Sequence, residues 1–156
     1  MFKYEMRKLQ FQLVPQSAWY KNLRSLLLNW DDISKYVRRP GKCSICGENT
    51  PYLDAREVWS YDDANGSQKL KEIIPVCKQC HNAIHIGHAN VTGKGDEALM
   101  HYMLINEIST KEAKADLDDA FFVWERRSAH DWHIDTEQIS EAVKRQTGID
   151  AIVNLQ

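Results

Sequence analysis

Two Cys-x-x-Cys pairs, Cys43-Ser44-Ile45-Cys46 and Cys77-Lys78-Gln79-Cys80, constrain this chain more than any other feature. They hold all 4 of its cysteines, with thirty residues between the pairs. One such pair alone suits a redox motif, but two at this separation match the ligand spacing of a tetrahedral zinc site. The opening residues, Met-Phe-Lys-Tyr-Glu-Met-Arg-Lys, have no apolar stretch of signal-peptide type. A reducing, cytoplasmic setting is therefore expected, where four thiolates serve a structural Zn²⁺ better than two disulfides.

The remaining composition bounds the rest. At 156 residues, 43% hydrophobic and 27% charged, the chain suits one compact domain with a real core. Its apolar runs, such as Leu26-Leu27-Leu28, are far shorter than the roughly 20 residues that span a bilayer, so a soluble protein without a membrane partner is expected. The net charge of -2 hides a split. Residues 1–42 carry nine Lys and Arg against three Asp and Glu, and the remainder is acidic. Lys21, Arg24, Lys35, Arg38, Arg39 and Lys42 suit either a phosphate backbone or the polar face of an amphipathic helix.

Three segments follow. Residues 1–41 read as a basic piece: an alternating strand within 2–14 that stops at Pro15, then one or two helices from Ser17 to Val37 with Leu23, Leu26, Leu27, Trp30, Ile33 and Val37 inward. Residues 42–90 contain both cysteine pairs. Between them lie two strands, Tyr52 to Tyr61 and Leu70 to Val76, around an Asn65-Gly66 turn, and the metal is expected to clamp this hairpin at both ends. A short helix follows Cys80 through Ile86 and stops at Gly87. Residues 91–156 read as helical. Asp96 caps a helix with Leu99, Met100, Met103 and Leu104 on one face. Ser109 and Glu112 form a capping box before Ala113, Leu117, Ala120, Phe121 and Trp124, and Asp135 or Thr136 opens a helix that ends near Gly148. The whole is expected to be one α+β domain.

A hairpin followed by a helix brings Asp54, Arg56 and Glu57 on the first strand toward His81 and His85. Those histidines are four residues apart and share a helical face. Two imidazoles and a carboxylate in one cleft can bind a divalent cation, polarise a phosphodiester and activate water. His88, His101, His130 and His133 have no such spacing and read as ordinary helix and loop residues.

The runs Cys43-Ser44-Ile45-Cys46-Gly47, Leu53-Asp54-Ala55-Arg56-Glu57-Val58-Trp59 and Cys77-Lys78-Gln79-Cys80-His81-Asn82-Ala83-Ile84-His85 resemble the HNH endonuclease family, with its zinc-bound ββα-metal core. The flanks around Trp19 and Trp124 are similar to those of small bacterial and phage proteins of that type. The resemblance implies a metal-dependent nuclease acting on DNA. It places His81, helped by His85 and Glu57, on a catalytic Mg²⁺, Mn²⁺ or Ni²⁺, and it places the general base at the first-strand position. That base is a histidine in the family, in a His-Glu-x-Trp pattern, whereas this chain reads Arg56-Glu57-Val58-Trp59. Glu72 occupies the family's Asn position. A guanidinium is permanently charged and neither ligates a cation nor accepts a proton, though it can hold a phosphate. The alternatives are a nuclease that uses Glu57 or Tyr61 differently, a changed chemistry, or a degenerate module that binds nucleic acid or a protein partner in host–phage conflict.

Overall fold

The computed structural model describes residues 8–19 and 21–155. At its centre is a hairpin of β1 (Leu53–Asp62) and β2 (Ser67–Cys77), paired antiparallel from Leu53 opposite Cys77 to Asp62 opposite Ser67. At the turn, the Asp62 carboxylate accepts from the backbone N–H groups of Ala64 and Asn65, both at 3.2 Å, and Gly66 takes φ 66°. Only glycine adopts that φ cheaply, as the Asn65-Gly66 pair predicts.

The ladder has one irregularity, and it organises the core. Val58 pairs with Glu72 but Trp59 pairs with Leu70, so Lys71 bulges out. Leu70 and Ile73, three apart, would otherwise point to opposite faces. Because of the bulge both join Ala55 and Trp59 in one cluster with Trp30, Ile33 and Val37 of α2 (Trp30–Arg38) and Ile139 and Val143 of α7 (Thr136–Thr147). A second cluster joins Val58, Ile74 and Val76 to α3 (Lys78–Ile84) and to Tyr102 of α5 (Gly95–Asn106). The hairpin is thus sandwiched between two helical layers.

A third strand, β3 (His133–Ile134), pairs parallel with Ser67 and Gln68. Beyond it the outer edge of β2 is closed by side chains of α7. The Gln138 amide bonds both Leu70 N–H (2.9 Å) and Leu70 C=O (2.8 Å), and the Gln146 amide bonds both Ile73 N–H (2.8 Å) and Ile73 C=O (2.6 Å). Two glutamines two helical turns apart thereby take the place of a neighbouring strand.

Several sequence expectations hold. The Ser17 to Val37 region forms a short turn (Gln16–Ala18), α1 (Leu23–Leu26) and α2. Ser109 and Glu112 make the full capping box of α6 (Thr110–Ser128), while Asp135 caps α7 and Gly148 ends it at φ 73°.

Others are corrected. Part of the expected N-terminal strand lies outside the described residues, and 8–14 form no strand. This strap satisfies its backbone on helices instead: Gln12 N–H donates to Ile84 C=O, Asn106 to Leu9 C=O and the Trp124 indole to Val14 C=O. The helix after Cys80 breaks at His85, not Gly87, and Gly87 lies inside α4 (Ile86–Val91). The break turns Ile86 and Ala89 toward Ala98 and Leu13. Asp96 sits in the first turn of α5 and not at its cap, and Met100 and Leu104 face solvent while Ala98 and Tyr102 are buried. No helix among the described residues is long and apolar enough to cross a membrane.

Candidate functional site

Cys43 and Cys46 lie on a tight loop before β1. Cys43 N–H donates to Glu48 C=O, Gly47 N–H returns to Cys43 C=O, and Gly47 has φ 78°. Ser44 ties this loop to β2, donating from both N–H and hydroxyl to Pro75 C=O at 2.9 Å. Cys77 ends β2 and Cys80 lies one turn into α3, with Cys80 N–H on Cys77 Sγ at 3.4 Å. All four sulfurs lie within 4.8 Å of one another, and Cys46 and Cys77 are 3.7 Å apart. A tetrahedral zinc about 2.3 Å from each sulfur would space them by about 3.8 Å. The donor set and spacing fit a metal ion such as zinc.

The thiols show the same preference. Hydrogen bonds from Cys77 and Cys80 hold Cys43 far below the usual thiol range, and the partners rise in compensation. The cluster already favours one thiolate, and a divalent cation would displace the other protons. His101 of α5 adds a contact that spacing did not suggest, with Nε2 3.2 Å from Cys80 Sγ, where an N–H can donate to the sulfur. The cluster sits only at the open end of the hairpin, beside the Leu53–Cys77 pair. The two cysteine pairs flank the hairpin and meet at its chain ends, as expected, and the turn is held separately by a two-bond Arg127–Asp63 ion pair at 2.9 and 3.0 Å.

A second site lies across α3 from the cysteines. His81 and His85 have ring centroids 5.0 Å apart and border one cavity of about 270 Å³ with Glu57, Asn82, His88 and Lys21. His81 Nδ1 is 2.8 Å from Asp54 Oδ2, while Lys78 donates to Asp54 Oδ1 at 2.8 Å. The carboxylate fixes the tautomer, so Nε2 is the ring's free lone pair. Burial acts to raise the Asp54 carboxyl, but the Lys78 and His81 bonds outweigh it and hold it below the usual range. Burial lowers both histidines, His85 strongly, and the charge of Arg56 pushes each further down. Both imidazoles are therefore neutral near pH 7, the form that ligates a cation.

No family model matches the chain, and no curated protein or solved structure matches it significantly.

The sequence-predicted site residues divide. His81, His85 and Glu57 share the cavity, but their ligand atoms do not converge as the sulfurs do, and the cysteines are the converging group among the described residues. Glu57 also holds the chain in place, because its Oε1 accepts Leu23 N–H at 2.6 Å, at the first residue of α1. Burial raises the Glu57 pKa against that bond, making it a stronger base than an ordinary carboxylate. Arg56 is buried and does not border the histidine cavity. Tyr61 is pushed up to about 12 by burial and packs edge-on against Trp132 at 5.0 Å. His88, expected to be ordinary, lies beside Trp19 with centroids 6.3 Å apart. Of the basic residues, Arg38 bonds Ser34 and Arg39 bonds Tyr36, as on the polar face of a helix.

Proposed function

We propose that this protein is a metal-dependent phosphodiesterase of HNH type, acting on DNA, whose ββα unit is held by one zinc on Cys43, Cys46, Cys77 and Cys80. The observation that carries the reading is the His81–His85 pair over one cavity with His81 oriented by Asp54. That arrangement sets a neutral, oriented imidazole on the wall of a cavity large enough for a phosphate group. His81 and His85 would hold a divalent cation such as Mg²⁺, Mn²⁺ or Ni²⁺, which when bound would supply charge to polarise the phosphate and stabilise the leaving oxygen. Glu57, with its raised pKa, would accept the proton of the attacking water, in competition with its bonds from Leu23 N–H and the Trp59 side chain. Asp54 keeps the His81 ring in place. Lys21 lies on the cavity wall with its amine donating to Trp132 C=O.

One observation favours the competing reading, a binding module without turnover. The buried Arg56 charge acts on both His81 and His85, and it opposes a second cation beside them. Plasmid nicking separates the two. The nuclease reading predicts nicking that requires added divalent cation and falls by at least about a hundredfold in His81→Ala and Glu57→Gln, with zinc content unchanged. No nicking with Mg²⁺, Mn²⁺ or Ni²⁺ would overturn it in favour of binding alone.

A further inference from the structure

Arg56 is the side chain the proposed chemistry leaves unexplained. It is 6% exposed, and its Nε has no hydrogen-bond partner among the described residues. Glu57 and Tyr61 act on it only through charge, and burial lowers it to about 10, which leaves it cationic at neutral pH. A buried guanidinium whose Nε is unpartnered and which no carboxylate is seen to hydrogen-bond is costly, and space beside it for an anion would offset that cost. That space is present. Arg56 borders a cavity of about 430 Å³ between β1, the 8–14 strap and α6, within the size range of small-ligand sites.

The other walls narrow the ligand. Trp59, Tyr61 and Trp124 supply aromatic faces, and Lys8 and Arg127 add positive charge. Arg127 lies over the Tyr61 ring at 4.7 Å and is already paired with Asp63. Asp116 is engaged by the Tyr102 hydroxyl at 2.7 Å, whereas Asp119 on the same wall offers an acceptor for N–H or O–H groups. The cavity thus combines a dry cation for an anion, flat faces for a ring and a carboxylate for polar hydrogens.

We propose that this cavity is a nucleotide site, with the phosphate on Arg56 and the base against the aromatic wall. The ligand is a phosphorylated nucleoside, supplied either as a free mononucleotide or as the phosphorylated end of a strand. The site is separate from the His81 cavity, although Val14 and Trp59 border both. It does not depend on cleavage there.

The test uses the full chain with no added divalent cation, following tryptophan fluorescence and thermal midpoint. Nucleoside monophosphates and oligonucleotides with and without a terminal phosphate are the probes, with nucleosides and inorganic phosphate as controls. A phosphorylated nucleotide should quench saturably and raise Tm, binding at least about tenfold tighter than either control. Binding of mononucleotide identifies the free ligand, and binding only of the phosphorylated oligonucleotide identifies a strand end. Arg56→Met should keep or raise the Tm of the unliganded protein while weakening binding roughly ten- to hundredfold. If that variant does not fold, Val123→Glu, at an exposed position on the cavity rim, should weaken binding about tenfold. His81→Ala should leave binding intact while abolishing any nicking. Absence of a nucleotide response, equal binding of inorganic phosphate, unchanged affinity in the cavity variants, or loss of binding in His81→Ala would overturn the proposal.

Discussion

His85 carries the largest histidine shift because four influences add: burial first, then the charge of Arg56, then His81 and His88. The sign of its effect on stability follows directly. The unfolded chain protonates His85 near pH 6.5 and the folded chain does so only at lower pH, so between those values the unfolded state binds more protons. Stability from His85 is complete above about pH 6.5 and is lost as pH falls, by up to about 1.4 kcal/mol per pH unit. Denaturant unfolding from pH 7 to 5 should therefore show a shallower decline in His85→Asn than in the parent, and equal slopes would contradict the assignment. At this scale the sequence is informative where chemistry is local. Cysteine spacing locates the metal ligands, and the i, i+4 rule puts His81 beside His85. The hairpin-then-helix order brings Asp54 toward His81, but nothing in the sequence reveals that the carboxylate bonds Nδ1, that His101 reaches Cys80 or that Arg56 Nε is left unpartnered among the described residues. Each of those depends on which residues distant elements bring together.

Among the elements, β2 shows how an exposed edge is managed with little strand. β3 pairs with only two of its residues, and Gln138 and Gln146 serve the backbone of Leu70 and Ile73. Gln146→Leu would strand the N–H and C=O of Ile73, a residue 1% exposed. It should cost about 2 kcal/mol in denaturant unfolding, with a smaller loss for Lys144→Ala, whose ion pair to Asp150 is solvent-exposed. Equal losses would mean that the glutamine bonds contribute no more than a surface contact. Helix caps and turn residues are readable here because Ser109, Glu112, Asp135, Gly66 and Gly148 act within a few residues. The strap at 8–14 resembles a strand in sequence for the opposite reason. Alternation reports a half-buried extended chain, and Leu9 and Phe11 bury against α5 without any ladder. Likewise the bulge at Lys71, which sends Leu70 and Ile73 to one face, has no local sequence signal.

For the whole molecule, the α+β architecture and the single hairpin with flanking helices follow from the sequence pattern, while the cleft arrangement does not. The Cys43–Cys46 loop, β2 and α3 meet at the sulfur cluster, at the Ser44–Pro75 bonds and in the apolar cluster of Ile45, Ile74, Val76, Ala83 and Ile84. Hydrogen bonds from Cys77 and Cys80 favour a Cys43 thiolate, a buried charge that a bound cation would neutralise. From that corner α3 carries His81 and His85 into the candidate site. The histidine cavity shares α3 with the cluster, so a metal bound by the cysteines would steady it. The most direct test is metal analysis of the purified chain together with unfolding in strong chelator. One zinc per chain is expected, lost on Cys43→Ser, with a cooperative fall in helical signal when the metal is removed. Protein that holds far less than one zinc per chain and unfolds identically with and without chelator would contradict a metal-closed fold.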